Sequence, residues 1–286
     1  MSVVTENERL ANAAIYEHIN PSISELFHEN SKLNLYTLKL LQYSMAQAVS
    51  NPDFKKASLQ NNKVYPTAKR IPLKKRSNLN SNLGEDILNR KSERKFKDKP
   101  LTFQSLSDLL SYSGGISHVQ GKFQFRTYPS GGALYPLEIY LLVNKVKSLE
   151  QGVYHFNVRS NCLEQLKVNN VKNEATKLGI RDQGFFDSAV TIMVSAVFKR
   201  TTYKYGDRGY RFVLMEVGHL LQNISLVATA LGIGSCEIGG YQDDEDNQFL
   251  NIDGVNEAIV GEMILGYPDV DRDNTMPGIY GGNDND

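Results

Sequence analysis

The sequence predicts an α+β protein, one sheet with helices packed on it, and three observations lead there. Strand-like and helix-like segments alternate along the 286 residues without a clean βαβ rhythm. The segments "GVYHFNV" and "CLEQLKV", separated by the turn-like "RSN", read as a hairpin. The segment from Arg208 to Leu231 carries apolar residues on two faces, so it should be a central, buried helix.

Taken in order, residues 1–80 form a helical N-terminal region ("ISELFHENSKLN", "LYTLKLLQYSMAQAV") ending in a basic linker, and residues 81–286 form the main domain. The linker contains "KRIPLKKR" at 69–76. Short charge runs are common on surfaces, so it reads as solvated chain, with a docking surface for an acidic partner as the sharper alternative. "LTFQSLSDLLSYSGG" is a helix, with Thr102 as N-cap and Gly114–Gly115 as its stop. "LEIYLLVNKV" is a strand, "AVTIMVSAVF" a buried strand, and "AIVGEMILGYP" the last strand, stopped by Gly266 and Pro268. In the long helix, Leu214, Val217, Leu221, Ile224, Ala228 and Leu231 make one apolar row, and Val213, Leu220 and Val227 a second. Asp207 is placed to cap it and Gly232 to end it. Glu216, His219 and Asn223 leave a narrow polar stripe; His219 reads first as a hydrogen-bonded histidine in a packed helix, and only second as a site residue.

Composition narrows the class. Hydrophobic content of 41% and charged content of 22% are those of an ordinary soluble globular protein. The formal net charge of zero gives no global attraction to nucleic acid or to an anionic membrane. The tail from Tyr241 is acidic, with Arg272 its one basic residue. Cys162 and Cys236 are far apart and make neither a CxxC pair nor a metal-ligand spacing, which fits a reducing cytoplasm. The first residues carry Glu6, Glu8 and Arg9 where a signal peptide needs an apolar stretch, and "AVTIMVSAVF" is about half the length of a membrane span. Export, a membrane span and a bound metal are therefore not expected.

Four segments can carry chemistry. In "NRKSERKF", Arg90, Lys91, Ser92 and Arg94 offer guanidinium forks, a point charge and a hydroxyl, which suits a phosphate and suits a solvated helix face equally. In "YPSGGALYPLEIY", Pro129, Ser130, Gly131 and Gly132 precede a strand; this reads as a tight turn, and also as backbone open to a flat ligand. "GIGSCEIGGY" follows a helix and opens a strand, the reverse of a dinucleotide fingerprint. Its Cys236 reads as a small buried residue rather than a nucleophile. In "TTYKYGDRGYRF", Lys204 and Tyr205 sit side by side near Arg208 and Arg211. Both side chains ordinarily titrate near about 10, so a base here needs burial or neighbouring cations to lower one of them. On spacing alone the segment is a cation–aromatic cluster at a helix start.

The order of these motifs resembles that of the nitroreductase-like flavoenzymes, and more closely the SagB-type dehydrogenases, the azoline oxidases of thiazole/oxazole-modified peptide biosynthesis. "RKSERKF", "YPSGGALYPLEIY", "GVYHFN", "YKYGDRGYRFVLMEVGHLLQN", "GIGSCEIGGY" and "ILGYPD" carry it, and "FHENSKLN" is similar to the start of such proteins. The resemblance implies an FMN-binding α+β fold, a mostly antiparallel sheet flanked by helices, in an interlocked homodimer with the flavin between subunits. It implies that Arg90, Lys91, Ser92 and Arg94 hold phosphate and ribityl. Pro129, Ser130, Gly131 and Gly132 would lie against the isoalloxazine, with Ile238, Gly239 and Gly240 under its other edge. Arg272 is the C-terminal basic residue available for the phosphate. Lys204 and Tyr205 match the pair that azoline oxidases carry and simple nitroreductases lack, and their implied role is general base. The expected reaction turns thiazoline or oxazoline rings of a ribosomal peptide into thiazoles or oxazoles, with flavin reoxidised by dioxygen. The expected partners are the precursor peptide and a cyclodehydratase, and a leader-peptide domain is not expected in this chain. A NAD(P)H-dependent nitro- or quinone reductase of the same fold, and a flavin-holding scaffold subunit, are the alternatives.

Overall fold

In the computed structural model, which describes residues 21–168 and 187–269, nine strands occur in chain order. They are β1 (Lys69–Pro72), β2 (Ile116–Gln120), β3 (Phe123–Arg126), β4 (Leu137–Val143), β5 (Gly152–Asn157), β6 (Cys162–Val168), β7 (Val190–Val197), β8 (Gly234–Ile238) and β9 (Glu257–Gly266). Eight α-helices accompany them among the described residues: α1 (Ile23–Asn30), α2 (Leu35–Ser50), α3 (Pro52–Ser58), α4 (Leu83–Asn89), α5 (Phe103–Ser113), α6 (Lys199–Tyr205), α7 (Arg208–Ala230) and α8 (Asp243–Leu250). Seven strands form one sheet in the order β1-β6-β5-β4-β7-β9-β8, each neighbouring pair antiparallel, and β2 and β3 form a separate hairpin.

The sheet is covered on both faces. That is why β4 ("LEIYLLV") and β7 ("VTIMVSAV") are apolar almost without alternation and almost wholly buried. Their pleat still separates two cores. Ile139, Leu141, Ile192 and Val194 pack with Leu106, Leu109 and Leu110 of α5 and Val213, Val217, Leu220 and Ile224 of α7. Tyr140, Leu142 and Met193 face the other way, toward Phe249 and Leu250 of α8 and Phe96. Thr102 caps α5 as expected, its Oγ1 accepting the Ser105 N–H at 3.0 Å. The hairpin expected at 152–168 is β5–β6, and "AVTIMVSAVF" and "AIVGEMILGYP" contain β7 and β9.

Several expectations need correction. Asp207 does not cap α7: it sits in the right-handed helical region (φ −60°, ψ −30°) and its side chain accepts no cap hydrogen bond. The reason is that α6 runs almost directly into α7 through Gly206, whose φ of 55° and ψ of −147° suit glycine. Nor is α7 buried all round; Leu214 and Met215 are 45% and 60% exposed. α7 is long and apolar enough to cross a membrane by length and composition alone, but here its buried rows lie on the sheet. "KRIPLKKR" is not a free linker: Lys69–Pro72 is edge strand β1, paired with β6. The β2–β3 hairpin and α8 were not anticipated.

Register fixes which loops meet. Leu137 of β4 lies opposite Ala196 of β7, and Ala196 opposite Ala258 of β9. The turn before β4, the start of α6 after β7, and the start of β9 therefore share one end of the sheet, and β8 runs toward that end. Ser235 of β8 pairs with Leu265, near the other end.

Candidate active site

The turn before β4 is built under strain. Gly131–Ala133 form a single 3₁₀ turn in which Gly132 has φ 69°, and Ala133 and Tyr135 also have positive φ, 54° and 46°. Such a conformation persists when its surroundings hold it in several places. Ser130 Oγ accepts the Tyr135 N–H at 2.8 Å, and Asn61 donates from Nδ2 to the Ala133 carbonyl at 3.2 Å. Arg200 Nη1 donates to the Tyr135 carbonyl at 3.2 Å and contacts Glu138 Oε1 at 2.6 Å. Arg126, buried, donates to the Tyr128 hydroxyl at 2.9 Å, the Leu137 carbonyl at 3.1 Å and the Asn61 carbonyl at 2.7 Å.

Beneath this turn lies a buried charged network. His155 stands between Glu138 Oε2 (2.9 Å) and Glu164 Oε2 (3.0 Å), all three inaccessible to water. Burial opposes ionisation of Glu138, but Arg200, His155 and Arg126 outweigh it and hold the carboxyl down to about 2. Burial also opposes charge on His155, and its two carboxylate partners raise its pKa nonetheless.

Lys204 and Tyr205 end α6 and point back at the turn. A Cβ built on Gly132 would lie 2.6 Å from the Tyr205 hydroxyl and 2.9 Å from Lys204 Nζ. Both polar tips therefore converge on one backbone position, which is why that position is glycine. Lys204 Nζ also lies over the Tyr205 ring, 5.0 Å from its centroid, and that ring packs edge-on against Phe212 at 5.0 Å. Arg208 and Arg211, considered as cations that could tune the pair, are engaged elsewhere. Arg208 Nη1 donates to the Ser31 carbonyl (2.9 Å), and Arg211 donates to Ser31 Oγ (2.7 Å) and the His28 carbonyl (2.6 Å), which anchors the C-terminal end of α1.

A concavity of about 360 Å³ opens beside the turn, walled by Pro129, Ser130 and Gly131 on one side and by Tyr205, Phe212, Met215, Glu216 and His219 on the other. His219 is thus exposed at the mouth of a cavity, not packed among helices as first expected. Glu216 is buried at its back, and burial pushes its carboxyl up to about 8 against the opposing pull of Ser130, Arg126 and Arg200. Sequence reasoning did not name Asn61, Arg126, Arg200 or Glu216 as site residues. The polar stripe on α7 was the available signal for Glu216; the others are brought in by topology.

The second group of expected residues clusters along β8. Ser92 makes a parallel bridge with Ser235, and the Glu93 N–H donates to the Ser235 carbonyl at 2.9 Å. Arg94 lies close enough to Cys236 for its charge to act on the thiol, which burial nevertheless pushes up, as expected of an inert cysteine. Lys91 is exposed and pairs with Glu93 at 3.0 Å, and Arg90 ends α4. Ile238 closes β8, and Gly239 and Gly240 follow it, exposed. Arg272 lies outside the described residues. Within one chain the Ser92–Arg94 part of this group, beside Ser235, and the turn at Gly132 stay apart. From Ala258 to Leu265 along β9 is about 23 Å, and β4 and β8 are three strand spacings apart, about 14 Å.

The sheet and the arrangement of these segments are those of a known class. The Nitroreductase family model matches residues 87–267, and the chain belongs to that family of flavin-binding oxidoreductases. It is 37% identical over 169 residues to the Methanocaldococcus jannaschii protein MJ1384, covering 59% of this chain and 84% of that one. It is 31% identical over 156 residues to the Escherichia coli microcin B17-processing protein McbC, covering 53% of this chain and 57% of McbC, so it spans a little over half of that relative. Its fold matches a chain of the Escherichia coli microcin synthetase McbBCD complex, solved with truncated pro-MccB17 bound, at a TM-score of 0.54 and 24% identity, over 82% of this chain and 97% of that one.

Proposed function

We propose that this protein is an FMN-dependent dehydrogenase that oxidises thiazoline or oxazoline rings in a ribosomally made peptide to thiazoles or oxazoles. The observation that carries the reading is the convergence of Lys204 Nζ and the Tyr205 hydroxyl on Gly132, in the turn expected to lie against the flavin ring. The similarity to the microcin-processing protein McbC supports the substrate class.

The residues fit the cofactor. A Cβ built on Gly239 would meet nothing within 4 Å, which leaves backbone there open to a flat ring, and the concavity beside Ser130 has a largely aromatic and apolar wall suited to one. Ser92 and Arg94, on the strand-like segment beside β8, suit a phosphate and its ribityl chain. Because the two groups stand apart in one chain, a complete site needs a second copy, which supports a homodimer. α2 supports it too, since Leu35, Tyr36, Leu40 and Tyr43 are all exposed on a helix that buries Ala48 alone.

Bound FMN would supply the acceptor for the hydride that leaves one ring carbon, with dioxygen returning it to the oxidised form. The chain's own task is the proton. The neighbouring Cα–H must leave as a proton, and the Lys204–Tyr205 pair, held at Gly132, is the base this reading assigns. The strained turn, fixed by Asn61, Arg126 and Arg200, keeps that geometry before the substrate arrives. In a cytoplasmic setting the expected supplier of azolines is a cyclodehydratase partner, and the McbBCD complex offers the parallel.

The test is mass spectrometry of an azoline-containing peptide incubated with the purified, flavin-loaded protein, seeking loss of two hydrogens per ring. Lys204→Ala and Tyr205→Phe should each cut azole formation by about 10²-fold or more while the yellow flavin stays bound. Unchanged azole formation in both variants would overturn the assignment of the base. Rapid NADPH-driven turnover of a nitroaromatic with no peptide oxidation would replace the reading by a simple reductase.

A further inference from the structure

Glu216 is placed where the fold gains nothing from it. It projects from the middle of α7, is 2% exposed, and neither of its carboxyl oxygens closes a hydrogen bond of normal geometry among the described residues. A carboxyl buried without full partners costs stability, and residues retained at such a cost concentrate in functional sites. Two other carboxyls here are similarly placed, Asp246 and Glu262, but they face each other under α8, away from the turn. Glu216 differs in that it opens onto the concavity and stands against Ser130.

We propose that Glu216 is a positioning residue of this site: its carboxyl takes the Ser130 hydroxyl and so holds the Pro129–Gly132 turn in the shape that Lys204 and Tyr205 meet. Ser130 Oγ accepts the Tyr135 N–H at 2.8 Å, so its own hydrogen is left to donate outward, toward the back of the concavity where Glu216 lies. The approach stops short of a normal hydrogen bond in the structure, as contacts in empty sites often do before a ligand closes them. The carboxyl is already out of contact with water, and an occupant of the concavity would also bar water from reaching it on ionisation, so occupancy favours its protonated form. The groups that face it are Arg126 from β3, Arg200 from α6, the Tyr128 and Tyr135 hydroxyls from the turn, and His219 one turn along α7. The two guanidiniums are committed to Tyr128, Leu137 and Asn61, and to Glu138 and Tyr135, which leaves Glu216 to the turn.

This inference rests on the flavin reading only for the identity of the occupant, and the experiment separates the two. Thermal unfolding and FMN titration are measured on the full chain for wild type, Ser130→Ala, Glu216→Ala, Glu216→Gln and the Ser130→Ala/Glu216→Ala double variant. Glu216→Ala should weaken FMN binding about tenfold, Ser130→Ala at least as much because it also loses the Tyr135 N–H, and the double variant no further than Ser130→Ala, since the Ser130–Glu216 contact is already gone there. Glu216→Gln, an uncharged isostere, should bind within about twofold of wild type at pH 8 and keep its affinity from pH 8 to 9.5. Wild-type affinity should fall about tenfold as pH rises from 8 to 9.5, because binding takes up a proton there. Additive losses in the double variant, or a pH profile shared by Glu216→Gln and wild type, would overturn the proposal. If wild type binds no FMN, the flavin reading fails by itself, and the contact is decided by the melting temperatures: non-additive shifts uphold it and additive shifts refute it.

Discussion

Replacing Gly132 by alanine tests the site with a single methyl group. At φ 69° a non-glycine residue costs roughly 1–2 kcal/mol, which for a chain of this size lowers the melting temperature by about 2–8 °C. The added Cβ would also lie 2.6 Å from the Tyr205 hydroxyl and 2.9 Å from Lys204 Nζ. An ordinary contact is about 3.5 Å, so both tips must retreat by somewhat less than about 1 Å. They end flexible side chains, so the retreat costs little stability, but a misplacement of about 1 Å can cost about 10²-fold in rate. Gly121, in the β2–β3 turn, is the control: its φ is 61° and a Cβ there meets nothing within 4 Å. Calorimetry should show similar destabilisation in Gly121→Ala and Gly132→Ala. Azole formation, followed by mass spectrometry, should fall about 10²-fold in Gly132→Ala alone. Equal rates in the two variants would show that Lys204 and Tyr205 do not work where they meet the turn.

Four further outcomes follow from the geometry. His155→Ala leaves Glu138 and Glu164 buried without their shared partner and should destabilise by about 3–5 kcal/mol in denaturant melts. Glu138, held down to about 2, contributes stability that is full above the ordinary carboxyl range and lost as pH falls toward 2, so acid unfolding of wild type should begin below about pH 4. Burial and the neighbouring Asp246 push the Glu262 carboxyl well above the usual carboxylate range, so the folded chain keeps a proton that the unfolded chain releases. That stability is full in acid and lost as pH rises through the raised pKa, so Glu262→Gln should raise the melting temperature in alkali and leave it unchanged at pH 4. Arg94→Ala should weaken FMN binding about tenfold or more in a fluorescence titration.

Much of the fold was legible because local rules governed it. The Thr102 cap, the strand at 137–143 and the β5–β6 hairpin follow from residue type and period. The errors arose where distant chain decided the outcome. A lysine-rich segment looks like free linker until Arg70 is seen opposite Glu164, whose carboxylate makes a basic edge strand favourable. Asp207 has the right chemistry for a cap, but the preceding helix occupies the approach. Leu214 satisfies the apolar period of α7 yet faces outward, as does Met215, which lines the concavity. Proximity of Lys204 and Tyr205 to Gly132 spans some seventy positions of sequence and depends on β4 pairing with β7, which spacing along the chain does not encode.

The place of β9 in the sheet sets a timetable. It is the last strand described in the chain, yet it lies between β7 and β8, and β8 has no other strand partner among the described residues. During synthesis, the hairpin-linked strands β4 to β6 can pair as they emerge, while β8, which leads to Gly239 and Gly240, has only the short Ser92–Glu93 segment beside it until β9 arrives. The half of the site along β8 is therefore assembled last, in one step, when residues 257–266 slot into the gap. A nascent chain stalled before that point exposes the long apolar edge of β7, which makes the final strand the gate between a chaperone client and a folded protein.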